Sequence, residues 1–349
     1  MSLYSEYLKR CPELLECLEN ARNAGRLTHS FLIHAPDDRT RAEFAIVLEQ
    51  LAGCLNPVNG RPDTTCPFCR QIENGSYSDL HKISPVGKMY QIRVGDRANP
   101  EPNTLRDMLD HLGYTAGKHR KFGVIIDADR MGVEAQNALL KTLEEPPPET
   151  TLILCTANPS ALLPTTRSRC QTLSLPDNLC RFDFAGVQDA ASAVFDLCFN
   201  CRNDLCRTEE TLQRLLNVMS ALADSAEEWA KIEFQDQIAA AANSEDAAFI
   251  KQLEARISDA ANGEYIRQRR RFIAFITTFC SQLFMLSHGV SPADLPNPDI
   301  FNNLTIPLNI PPERGEAVLK EAEELERTLR FNVSDELALR TFAVNLSMR

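Results

Sequence analysis

Four stretches of this 349-residue chain hold side chains whose types and spacing could do chemistry. The first, Ala35-Pro36-Asp37-Asp38-Arg39-Thr40-Arg41-Ala42, follows an apolar run and opens a helical pattern. A nucleotide-binding protein sets a glycine-rich loop and a lysine around phosphate at such a place. Laid on that pattern, Ala35, Asp38 and Thr40 stand where glycine is preferred, Arg41 replaces the lysine, and Ala42 replaces the hydroxyl that holds Mg2+. Asp37 and Asp38 would add two negative charges beside a polyphosphate, which is repulsive at close range. The expectation is an ordinary strand-to-helix turn that binds no phosphate productively. The second stretch, Asp127-Ala128-Asp129, closes another apolar run where a nucleotide hydrolase places an Asp for the metal and then a Glu that orients water. Ala128 cannot polarise water, so Asp127 is expected to be structural or a relic. The third is Ser168-Arg169-Cys170. An arginine on a loop after a strand and a short helix can cross a subunit boundary to a γ-phosphate, although one such triplet alone more often makes a surface salt bridge. The fourth is the group Cys54, Cys66 and Cys69. No Ser-His-Asp constellation and no glycosidase-like carboxylate pair emerges.

The elements that must position these residues are legible in outline. Phe31-Leu32-Ile33-His34, Val124-Ile125-Ile126-Asp127 and Leu152-Ile153-Leu154-Cys155-Thr156 read as buried strands. Between the last two, Ala135 to Leu143 recurs at helical spacing until Pro146-Pro147-Pro148 stops it. Strand, helix, strand is the signature of a parallel α/β sheet. After Pro176 helices dominate: Leu212, Leu215, Leu216, Met219 and Leu222 share a face, as do Val318, Ala322, Leu325 and Leu329. Ser225 to Asn262 is polar and Ala-rich, suiting an exposed helix or linker, and Ser334 suits the N-cap of a last helix with Leu339, Phe342 and Leu346.

Composition bounds the rest. Hydrophobic content of 44% and charged content of 24% are globular values, and the length suits two or three domains. A net charge of −11 argues against a general nucleic-acid coat, because affinity for phosphate backbones rests on clustered Lys and Arg. The two basic clusters, Lys118-His119-Arg120-Lys121 and Arg267 with Arg269, Arg270 and Arg271, are expected to be solvated or salt-bridged faces. No apolar run of about 18 residues suggests a membrane span, and Met1 to Arg10 lacks the apolar core of an export signal, so a cytoplasmic protein is expected. Twelve cysteines then suit free thiols plus a metal site.

Asn137-Ala138-Leu139-Leu140-Lys141-Thr142-Leu143-Glu144-Glu145-Pro146-Pro147, followed by Ser168-Arg169-Cys170, resembles the signature of the gamma/tau and delta-prime subunits of the bacterial DNA polymerase III clamp loader. Gly25 to Leu32 and Leu329 to Leu337 also resemble that family, and residues 177–300 do so only thinly. The resemblance implies a RecA-like AAA+ α/β domain over residues 1–176, a small helical lid over 177–245 and an all-α collar domain over 246–349. It implies that Arg169 completes the ATP site of an adjacent subunit, and the degraded Ala35–Ala42 loop then selects delta-prime, with no ATP hydrolysis of its own. The alternative is a gamma/tau-like ATPase with a diverged loop. Thr156 would fall near a nucleotide-sensing position and is expected to pack at a strand end. Relatives carry a four-cysteine zinc array, and its spacing falls on Cys54, Asp63, Cys66 and Cys69 as a zinc-knuckle-like insertion at 54–69, with His81 or water as other candidates for the fourth ligand. Implied partners are gamma/tau and delta subunits, with the sliding clamp and primer–template DNA reached through the assembly and no membrane.

Overall fold

Runs of Leu, Ile, Val and Phe buried on both faces make the central strands of a parallel sheet. The computed structural model describes residues 2–87, 89–96, 101–114, 120–242, 247–307, 309–329 and 333–348, and the chain divides into two units, Met1–Arg181 and Phe182–Arg349.

The first unit runs α1 (Leu3–Arg10), α2 (Pro12–Asn23), β1 (Ser30–His34), α3 (Asp38–Gly53), α4 (Pro67–Glu73), β2 (Leu80–Ile83), α5 (Leu105–Gly113), β3 (Lys121–Ile125), α6 (Val133–Glu144), β4 (Thr150–Thr156), α7 (Pro164–Arg167) and β5 (Gln171–Ser174). The five strands are all parallel in the order β2-β3-β4-β1-β5. Ile125 pairs with Leu154 and His34 with Thr156, so the turns after β1, β3 and β4 gather at one edge of the sheet. That carboxyl edge is where open α/β sheets place ligands. Strand β3 ends two residues sooner than the apolar run suggests, because Asp127 takes a left-handed backbone, φ 49°.

The second unit is helical: α8 (Val187–Phe199), α9 (Leu205–Glu233), α10 (Gln235–Ala242), α11 (Ala247–Ser287), α12 (Pro312–Leu329) and α13 (Asp335–Met348). Its core joins Leu212, Leu215, Phe272, Phe275, Phe279, Val318, Leu325, Leu339 and Phe342. The two apolar faces expected around Leu212 and Val318 are the ones buried here. The α/β class followed by an all-α region therefore stands. The packing break falls after Arg181, and within the second unit α9 packs on α8, α11 and α13. Cys198 and Cys201 are buried apolar fillers, whereas Cys206 is exposed.

Candidate functional site

The turn after β1 is filled by its own side chains. Asp37 caps α3: its Oδ1 accepts the Arg39 amide at 3.2 Å and its Oδ2 accepts the Thr40 amide at 2.8 Å and the Thr40 hydroxyl at 2.6 Å. These first-turn amides are the groups that bind a phosphate at a helix N-terminus, and a carboxylate of the same chain takes them. Arg41 turns inward and is 3% exposed. Its Nη1 donates to the carbonyl oxygens of Ala35 at 2.5 Å and Pro36 at 2.9 Å, and its Nη2 donates to Asp127 Oδ1 at 2.9 Å. The Tyr90 hydroxyl donates to Asp127 Oδ2 at 2.8 Å, and Arg130 lies over the Tyr90 ring at 5.8 Å. In a working phosphate loop, nucleotide and Mg2+ stand between the cation after β1 and the carboxylate after β3; here those two residues meet directly. Ala128 is fully buried among apolar side chains and has no polar atom to offer water. Ala42 stands exposed.

Asp127 is thus a buried ion-pair partner and hydrogen-bond acceptor. Thr156 does more than pack: its hydroxyl donates to Asp129 Oδ1 at 2.9 Å and accepts the Asn158 amide at 2.9 Å. Tyr90 was not singled out by sequence, since the approach of Tyr90 to Asp127 spans 37 residues and follows no motif.

Arg169 lies at the surface, about a third exposed. Its Nε donates to Glu144 Oε1 at 2.8 Å, its Nη2 also bonds that oxygen, and its Nη1 donates to the Thr165 carbonyl oxygen at 2.8 Å. Buried Gln136, near the start of α6, accepts the Leu163 amide at 2.7 Å and the Thr166 hydroxyl at 3.4 Å, and donates to the Met131 carbonyl oxygen at 3.1 Å. Gln136 therefore braces the loop that bears Arg169 against the helix that bears Glu144.

The cysteine group folds together. One ligand atom from each of Cys54, Asp63, Cys66 and Cys69 lies within 4.8 Å of the others. Cys54 Sγ is 4.0 Å from Cys66 Sγ and 3.5 Å from Asp63 Oδ1. A tetrahedral zinc ion with Zn–S bonds of about 2.3 Å separates its sulfurs by roughly 3.8 Å, so this donor set fits such an ion with small adjustments. Burial pushes the Cys54 and Cys69 thiols up, the response of a thiolate site with no cation beside it. Burial also acts upward on Asp63, but the Cys66 and Thr65 amides outweigh it and hold the carboxyl down at about 2, ready to ligate. His81 is not in the group; its ring stacks on His111 at 4.5 Å.

The loop is shaped by a turn that the cysteine spacing does not announce. Val58 and Arg61 exchange backbone hydrogen bonds of 2.9 and 3.0 Å around Asn59 and Gly60, both at positive φ. A Cβ on Gly60 would stand 2.2 Å from the Glu19 carbonyl oxygen, so only glycine lets the loop lie on α2. Arg61 then forks Glu19 at 2.9 and 3.1 Å, and the Tyr4 hydroxyl donates to the same carboxylate at 2.7 Å.

Arginines of both basic clusters are salt-bridged, whereas Lys121 departs from the expected solvated or salt-bridged face. Arg120 pairs with Glu149 at 3.3 Å, Arg267 with Glu264 at 2.6 Å and Arg269 with Asp335 at 3.1 Å, while Lys121 is buried against the carbonyl oxygens of Leu112 and Tyr114. Lys118, His119 and residues 330–332 of the C-terminal resemblance lie outside the described residues. No described helix is long and apolar enough to cross a membrane.

Comparison with known proteins agrees with this geometry. Residues 11–178 match the family model described as DNA polymerase III, delta subunit. The delta-prime subunit of Bacillus subtilis is 33% identical over 165 residues, 46% of this chain and 46% of that protein. The delta-prime subunit of Pseudomonas aeruginosa is 31% identical over 149 residues, 42% of this chain and 43% of its own. The tau subunit of Escherichia coli is 31% identical over 158 residues, 45% of this chain and 23% of its own. The chain thus spans less than half the length of these relatives. A Thermotoga maritima gamma-subunit-related crystal structure aligns over 96% of this chain and 99% of that one at 17% identity, with a TM-score of 0.37. Over residues 11–178, then, the chain is similar to subunits of the bacterial DNA polymerase III clamp loader.

Proposed function

We propose that this chain is a delta-prime-type subunit of the loader: it turns over no ATP itself, and it offers Arg169 to the ATP site of a neighbouring gamma/tau-type subunit. The observation that carries this reading is the contrast between two arginines. Arg41 is buried and bound to Asp127, Ala35 and Pro36. Arg169 stands at the surface on a braced loop. A site whose cation and carboxylate neutralise each other, and whose helix amides are capped from within, holds nothing for a triphosphate to bind. A surface guanidinium can still stabilise the charge that spreads over a transferring phosphoryl group.

In this reading residues 177–245 serve as the lid and 246–349 as the collar, drawn mostly from the helical second unit. The chain works in the cytoplasm with gamma/tau and delta subunits, and it reaches the sliding clamp and primer–template DNA through the assembled ring. Zinc is held by Cys54, Asp63, Cys66 and Cys69, where it would staple the 54–69 insertion and take no part in phosphate chemistry. Similarity to tau relatives supports a second reading, a gamma/tau-like ATPase with a diverged loop. The filled pocket weighs against it.

The test is reconstitution of the loader with Arg169→Ala. DNA-stimulated ATP turnover at the adjacent site is expected to fall by about 10-fold or more while the complex still assembles. Unchanged turnover would remove Arg169 from the chemistry.

A further inference from the structure

Arg169 is held from behind. The loop that bears it is already fixed by Gln136, which accepts the Leu163 amide at 2.7 Å, so Glu144 is not needed to keep the backbone in place. Glu144, the last residue of α6, touches the guanidinium and nothing else that its hydrogen bonds and ion pairs record. An exposed ion pair of this kind contributes little to folding. What it fixes is an orientation. A guanidinium has five N–H groups. Three are engaged, by Glu144 through Nε and Nη2 and by the Thr165 carbonyl oxygen through Nη1. One N–H remains on each terminal nitrogen. Such a pair is what an arginine offers to phosphate oxygens.

Resting on the reading that Arg169 acts in trans, we propose that Glu144 is its positioning residue. It accepts from Nε and Nη2 so that the two remaining N–H groups are presented to a neighbour's polyphosphate without a search through the side chain's rotamers. The oxygen acceptor matters here rather than the negative charge. A glutamine, whose side-chain carbonyl oxygen sits where Glu144 Oε1 sits, should do most of the same work. The sequence signal was available: Glu144 closes the helical run before Pro146, and Arg169 follows 25 residues later, but only the packing of α6 on α7 shows that the two meet.

The experiment uses the reconstituted loader with Glu144→Ala, Glu144→Gln, Arg169→Ala and the Glu144→Ala/Arg169→Ala double variant in this chain. DNA-stimulated ATP hydrolysis is measured for kcat and KM, and melting temperature is measured on each purified chain. Glu144→Ala is expected to lower kcat about 10-fold with KM little changed, as loss of orientation does. Glu144→Gln should recover at least half of the wild-type kcat, the double variant should be no slower than Arg169→Ala, and the melting temperatures should agree. If Arg169→Ala is impaired while Glu144→Ala matches wild type, or if Glu144→Gln is as slow as Glu144→Ala, the positioning role is wrong and the trans-acting arginine survives. A faster Glu144→Ala loader would also overturn it, since the carboxylate would then be withholding the guanidinium. An unimpaired Arg169→Ala loader fails the underlying reading instead.

Discussion

Arg41 and Asp127 are 3% and 1% exposed, and each neutralises a charge that neither could hold alone in that position. Removing one partner strands the other in a low-dielectric site, which is far more damaging than replacing both. Asp127→Ala should therefore destabilise the first unit by about 3–5 kcal/mol in urea unfolding, and adding Arg41→Met should recover most of that loss. If both single variants unfold like wild type, the pair does not hold the pocket closed. Glu49, on the buried face of α3, is a second residue whose state is set by burial: both its carboxylate oxygens lack a partner, and desolvation pushes its acid up to about 7 against the opposing pull of Lys82. The folded value lies above the unfolded one, so the stability that comes from keeping this acid neutral is full below about pH 4.5 and is lost as pH rises through about 7. Glu49→Gln should flatten that slope and stabilise the chain by about 2–3 kcal/mol at pH 8, with little effect at pH 4.5. Parallel stability profiles of the two proteins would refute it.

At the scale of elements, the insertion that spans Cys54 to Cys69 is a loop that runs into the first turn of α4, pinned to α2 by Gly60 and by the fork of Arg61 on Glu19. Further support comes from Arg22, which donates to the Cys54 carbonyl oxygen at 2.7 Å, from buried Phe68, and from the donor set itself. The purified chain should hold one equivalent of zinc by elemental analysis, and Cys69→Ser or chelation should remove the metal and lower the melting temperature by several degrees. Zinc below a tenth of an equivalent in protein prepared without chelator would mark the group as vestigial. The same contrast between local and distant signals decides what could be read in advance. Strands β1, β3 and β4 announce themselves because both of their faces are buried. Edge strands β2 and β5 escape notice, since each has only four residues and a half-exposed or exposed face. The loss of loop glycines, lysine and hydroxyl is visible in residue types alone. That Arg41 folds onto Asp127, 86 positions further along the chain, is visible only in the packing, as is the approach of Tyr90. The grouping of Cys54, Asp63, Cys66 and Cys69 was legible only through the resemblance to relatives' zinc array, whereas the Asn59-Gly60 turn that closes the loop was present in the sequence and passed over.

Over the whole molecule, the proposed function asks for a silent pocket and an outward-facing arginine on the same α/β unit, which is followed by a separately cored helical unit. The central claim is that the silence is structural: Asp37 and Arg41 already occupy the phosphate's place. Calorimetric titration of Mg·ATP into the purified chain tests it most directly. The account predicts no saturable binding up to about millimolar nucleotide, a free energy weaker than about −4 kcal/mol. Saturable binding in the micromolar range, with release of phosphate by the chain alone, would contradict it.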